Sequence, residues 1–126
     1  MKVLITGGAG FIGYHLTNEF LSHGYDVTIV DNFSRGVQDS FLLELKKNHG
    51  VEFISADLMN SSAYDHLDRD YDYIVHLAAI IGVQNVINRP YDVLHLNVEL
   101  LIKMIAFAKQ QNDLKRFLFA STSEIY

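Results

Sequence analysis

A doubly wound α/β fold built on a parallel sheet of about five strands is predicted by three observations. Short apolar runs alternate with stretches of helical period from one end of the 126-residue chain to the other. Those runs are apolar throughout, the pattern of strands covered on both faces. A glycine-rich turn separates the first run from the first helical stretch. Alternation implies right-handed parallel crossovers, and apolar strands imply helices on both faces of the sheet. The expected strand order is 3-2-1-4-5.

The first strand is "KVLIT", residues 2–6. A helix follows over 11–23, with Phe11, Ile12, Leu16 and Phe20 on its buried side and Gly24 closing it. "DVTIV" (26–30) is the second strand, a helix runs through "SFLLELKKN", and "VEFIS" (51–55) is the third strand. A short helix is expected over about 60–68, then the fourth strand "YIVHLAA" (73–79). A long helix starts near Pro90, a residue tolerated in a first turn, and carries Leu94, Val98, Leu101, Ile105 and Ala108 on one stripe. "RFLFA" (116–120) is the fifth strand.

The totals narrow the class. The length suits one domain burying roughly two thirds of the surface its unfolded chain would expose. Apolar residues make up 49% of the chain and there is one proline, a globular composition. A net charge of −5 gives no general footing on nucleic acid or an anionic membrane, and neither partner is expected. The absence of cysteine removes disulfides, thiolate nucleophiles and cysteine metal sites; no metal site is expected. No apolar segment resembles a signal peptide or a membrane span, and a cytoplasmic location is expected.

The most informative stretch is "ITGGAGFIG", residues 5–13. Both Gly8-x-Gly10-x-x-Gly13 and Gly7-x-x-Gly10-x-x-Gly13 begin after a strand and run into a helix. Such a turn places helix amides under a pyrophosphate, with no side chain at the closest backbone approach and none where helix packs on strand. Asp31 ends the second strand, 18 residues beyond Gly13. A carboxylate there accepts hydrogen bonds from an adenosine ribose and repels a 2′-phosphate, which favours NAD over NADP. Arg35, on the same loop, works against that preference.

"TGGAGFIG" (6–13), "DN" (31–32), "ADL" (56–58), "HLAA" (76–79) and "STSEIY" (121–126) occur in an order that resembles the extended short-chain dehydrogenase/reductase family. The resemblance is to its nucleotide-sugar epimerases, dehydratases and decarboxylases, and it implies a Rossmann-type domain spanning 1–126. It also implies that Gly7, Gly10, Phe11, Ile12 and Gly13 surround the pyrophosphate, while Asp31 with Asn32 holds the adenosine ribose. Asp57 and Leu58 match the pair at the adenine edge. Leu77, Ala78 and Ala79 match the segment beside the nicotinamide half, and Asn97 matches an asparagine near the nicotinamide. His76 resembles the histidine preceding that segment, but a lone strand histidine is more often a satisfied core residue than a catalyst.

In enzymes of this family a tyrosine, helped by a lysine four residues later, takes the proton of a sugar 4-hydroxyl while NAD takes hydride from C4. Thr122 matches a hydroxyl that bonds the same oxygen, and Ser123 and Glu124 match positions that separate the reactions. Thr-Ser-Glu is similar to the triplet of the decarboxylases, whereas the dehydratases carry Thr-Asp-Glu; simple epimerases generally lack the glutamate. Epimerase is the favoured reading and decarboxylase the second. A helix cap or polar turn is the plain structural alternative for this cluster. The chain departs from the family in one respect: none of its seven tyrosines has lysine four residues on. The expectation is therefore an incomplete enzyme that ends before the sixth strand and the substrate-binding region. A non-catalytic, NAD-sensing interaction module is the alternative of another class. The full-length relative is expected to be a homodimer, and this chain to self-associate through its apolar edge strand "RFLFA".

Overall fold

At the centre of a five-stranded, wholly parallel sheet lies β1 (Lys2–Thr6), flanked by β2 (Asp26–Asp31) and β4 (Tyr73–His76). The edges are β3 (Val51–Ser55) and β5 (Arg116–Phe119), giving the expected order β3-β2-β1-β4-β5. The computed structural model describes residues 1–34, 40–47 and 50–121. The helices among them are α1 (Phe11–Ser22), α2 (Ser40–Lys46), a 3-10 helix (Ser61–His66), α3 (Val83–Asn88) and α4 (Pro90–Ala108).

Alternation along the strands divides the interior into two cores. Val3, Ile5, Val27, Ile29 and Val75 face one side, where Leu16 and Phe20 of α1 and Leu45 of α2 pack on them. Leu4, Val30 and Ile74 face the other, beneath Tyr71, Leu100, Met104 and Phe107. Each aliphatic chain taken fully out of water contributes about 1.5–3 kcal/mol, so these strand residues are the main source of stability.

Two helical faces differ from the sequence expectation. Phe11 is 80% exposed and Ile12 61% exposed. They occupy the first turn of α1, above the carboxyl edge of the sheet, and the buried residues of that helix are Gly13 and Thr17. In α4 the buried residues are Val93, Leu100, Met104 and Phe107, whereas Leu94, Val98 and Ile105 are exposed. Apolar residues recur at helical spacing in two adjacent phases on α4. The sheet takes the phase whose Phe107 packs against Tyr64 and Tyr71, with ring centroids 5.5 and 6.4 Å apart.

β4 is shorter than its apolar run, because after His76 the chain leaves the sheet with Leu77, Ala78 and Ala79 and then forms α3, which the periodicity did not announce. The register aligns the strand ends: Thr6 opposite Val30 and His76, Asp31 opposite Ser55, and His76 opposite Phe119. At the other end of the sheet Lys2 Nζ pairs with Asp68 and Asp70, and Lys115 Nζ lies 2.6 Å from Asp72. No helix of the described residues is long and apolar enough to cross a membrane.

Candidate functional site

The carboxyl ends of β1 and β4 diverge where the strand order reverses, the position at which open α/β sheets bind ligands. A cleft of about 920 Å³ opens there, within the size range of cofactor sites. Its floor is the glycine turn. Gly7 has φ +67°, and a Cβ on it would stand 2.7 Å from both N and Cα of Ala78. A Cβ on Gly13 would stand 2.5 Å from Gly8 Cα, so the start of α1 can lie on the turn only without a side chain. Gly10 differs: the nearest atom to its Cβ position is Gly7 O at 3.6 Å, and this space is open for a ligand to approach backbone. Gly8 is confined as well, since a Cβ there would stand 2.8 Å from Ile29 Cγ2, so both glycine spacings meet a physical demand at each position.

No side chain among the described residues caps the first turn of α1, and that turn has no acidic residue. Its amides point into the cleft as an anion site built from backbone. Among the described residues lining the cleft the charged side chains are Asp31 and Asp57. A diphosphate would therefore be met by amides and the helix dipole, and a further phosphate would meet two carboxylates.

Asp31 is already committed to the scaffold. Its Oδ2 accepts the Ala9 amide at 3.1 Å and its Oδ1 accepts the Phe33 amide at 2.8 Å. Each oxygen keeps a second lone pair for a ribose hydroxyl. Phe33, a cleft residue the sequence reading passed over, is the described non-glycine residue with positive φ, at 53°. The Asp31 bond to its amide holds it there. Asn32 and Asp57 close similar short turns, accepting the amides of Ser34 at 3.0 Å and Met59 at 2.9 Å.

Gly7, Gly10, Phe11, Ile12, Gly13, Asp31, Asn32, Asp57, Leu58, Leu77, Ala78 and Ala79 all line this one cleft. Asn97 does not. Its Oδ1 accepts the Ile80 amide at 2.7 Å and its Nδ2 donates to the Ile80 carbonyl at 2.9 Å, so its amide braces the cleft wall. Ile80, Ile81, Leu96 and Leu100 make that end of the cleft apolar, a feature with no motif to announce it. Thr122, Ser123 and Glu124 lie outside the described residues. The chain reaches the same edge just before them, where the Ala120 amide donates to the His76 carbonyl at 3.2 Å. His76 is 2% exposed and bonds Thr6, which makes it a satisfied core residue. Burial pushes its imidazole down to about 4.

The model of the NAD dependent epimerase/dehydratase family matches residues 3–126. The chain belongs to that family. Among its epimerase/dehydratase relatives, a UDP-N-acetyl-alpha-D-glucosaminuronate decarboxylase of Bacillus cytotoxicus is 36% identical over 99% of this chain and 37% of its own length. The structure of a UDP-Glc/GlcNAc 4-epimerase from Campylobacter jejuni superposes with a TM-score of 0.84 at 30% identity, covering 97% of this chain and 37% of that one. A UDP-glucose-4-epimerase from Stenotrophomonas maltophila, solved with bound NAD and formylated UDP-arabinopyranose, gives a TM-score of 0.83 at 26% identity, covering all of this chain and 38% of the other. The chain thus spans little more than a third of the length of these three relatives.

Proposed function

We propose that this chain is the NAD-holding, amino-terminal portion of a nucleotide-sugar epimerase that works in the cytoplasm through a transient 4-keto sugar. The observation that carries the reading is the cleft at the strand switch point, where the open Gly10 faces uncapped helix amides and Asp31 stands at the far side. In this reading the α1 amides bind the pyrophosphate and Asp31 accepts from the adenosine ribose. Asp57 meets the adenine amino group, and Leu77, Ala78 and Ala79 present a flat backbone surface to the nicotinamide. When bound, NAD supplies the hydride acceptor for sugar C4. Thr122, Ser123 and Glu124 would bond and orient the sugar. The base that removes the 4-hydroxyl proton belongs to a Tyr-x-x-x-Lys element that these 126 residues do not contain.

Calorimetric titration of the chain with NAD and NADP tests the reading. NAD is expected to bind about tenfold or more tighter than NADP, a difference of roughly 1.4 kcal/mol or more. Equal affinity, or no binding of NAD, would overturn it. Incubation with a UDP-hexose or a UDP-hexuronate is expected to give no turnover by this chain alone; conversion would show that the tyrosine-lysine pair is dispensable.

Decarboxylation is the second reading, favoured by the Thr-Ser-Glu triplet and by the similarity to the Bacillus decarboxylase. A longer form carrying both halves would release carbon dioxide from a UDP-hexuronate if that reading holds. The exposed apolar phase of α4, with Leu94, Val98 and Ile102, supports self-association, and we infer a homodimer for the longer protein. A solely NAD-sensing module would bind NAD equally well and show no activity in any longer form.

A further inference from the structure

Thr6 and His76 face each other at the ends of β1 and β4, both buried, with Thr6 Oγ1 2.6 Å from His76 Nδ1. The Ala78 amide donates to the same Oγ1 at 3.4 Å, and the Leu77 amide donates to the Thr6 carbonyl at 3.0 Å. A hydroxyl has one proton to give. The arrangement that uses every group has the Ala78 amide donating to Oγ1 and the Thr6 hydroxyl donating to a bare His76 Nδ1, with the ring hydrogen on Nε2. An imidazolium would instead donate from Nδ1 to that oxygen and leave the Thr6 proton without an acceptor among the described residues. The ring is held from the other side by Phe119, stacked at 6.0 Å with planes 25° apart, and by Phe117 at 6.3 Å.

Ala78 connects this pair to the cleft. It lines the cleft and lies so close to Gly7 that a Cβ there would meet its backbone at 2.7 Å. His76 itself does not line the cleft.

We propose that His76 is a positioning residue for the cofactor cleft: by accepting the Thr6 proton it fixes the oxygen that holds the Ala78 amide. Through that amide it sets the Leu77-Ala78-Ala79 wall against the glycine turn. The role goes beyond the NAD-binding reading and rests on it for its effect on affinity.

NAD titration and amide exchange at Ala78, both on the 126-residue chain, test the proposal. His76→Asn places an amide oxygen near the Nδ1 position and is expected to stay within about twofold of the parent affinity, with Ala78 still protected. His76→Leu and Thr6→Val each remove the same bond and are expected to weaken NAD by about threefold to tenfold and to speed Ala78 exchange. The double variant should be no weaker than the worse single one. Additive losses, or a His76→Leu chain that binds and exchanges like the parent, would overturn the role. Nitrogen shifts of the histidine-labelled parent protein decide it without any variant: a bare Nδ1 is expected, and the reverse tautomer rules the proposal out. If the parent chain does not bind NAD, the functional reading fails, while Ala78 exchange and the tautomer still decide what His76 does.

Discussion

Asp31 Oδ2 accepts the Ala9 amide at 3.1 Å, so the carboxylate ending β2 is fastened to the glycine turn that follows β1. Asp31→Asn puts an amide group where one of two backbone donors needs an acceptor, and a rotation of the side chain only moves the conflict to Phe33. A stability loss of about 1–3 kcal/mol is expected from the unmatched donor. NAD affinity should fall and NADP affinity should fall less, because the 2′-phosphate no longer faces this charge. Denaturant unfolding and paired titrations check both effects; unchanged stability would show that the Ala9 bond contributes nothing.

The three spaced glycines should separate by experiment. Gly7→Ala and Gly13→Ala force a Cβ into backbone at 2.7 and 2.5 Å, and are expected to destabilise the chain by about 2–3 kcal/mol. Gly10→Ala fills open space, so melting should barely move while NAD binding weakens. Equal melting shifts in all three would refute this division.

Asn97 offers a sharper substitution than alanine. Asn97→Asp turns the Nδ2 donor into an oxygen facing the Ile80 carbonyl, which lies 2.9 Å from the present nitrogen. The loss of one bond and the new repulsion should cost about 2 kcal/mol or more at neutral pH, with partial recovery in acid as the carboxyl protonates. A chemical denaturation series at two pH values measures it.

The pH dependence of stability follows from His76. Its folded value is depressed by burial from 6.5 to about 4, so the neutral ring is the one the fold accepts. The unfolded chain binds the proton first as pH falls. This contribution is therefore complete above about 6.5 and is lost as pH drops from there toward about 4, to a total on the order of 3 kcal/mol. His76→Asn should flatten that part of the profile. An unchanged slope between those values would place the titration elsewhere.

Thr17 Oγ1 is buried without a hydrogen-bond partner among the described residues. Thr17→Val keeps the shape and removes an unmatched hydroxyl, and should raise stability by about 1 kcal/mol in thermal unfolding. A lower melting temperature would mean that the hydroxyl has found a partner in solution.

What could be read from sequence was whatever repeats with the backbone. Apolar runs gave the five strands, because a strand covered on both faces is apolar throughout. The glycine spacing located the cleft because Gly7 and Gly13 meet backbone that excludes a Cβ, while Gly10 leaves the surface between them open. The phase of α4 was not readable: Leu94 and Val93 are neighbours on two apolar stripes, and only the sheet decides between them. The family resemblance matches Asn97 to an asparagine near the nicotinamide, whereas its two bonds to Ile80, 17 residues away, have no local pattern to announce them. The Thr6 and His76 pairing is likewise a register fact, joining residues 70 apart in the chain.

The division of the interior into two cores with the cleft along their upper seam has a consequence for variation among homologous sequences. Most substitutions in the strands should register as lower protein abundance, and most in the turn as weaker affinity, so a scan scored on both axes would fall into two arms. Val30, Leu58 and Leu100 belong to both sets, being buried in the core and facing the cleft. At those three positions the axes should collapse into one, and none of them is free to drift even when selection on ligand binding is lifted.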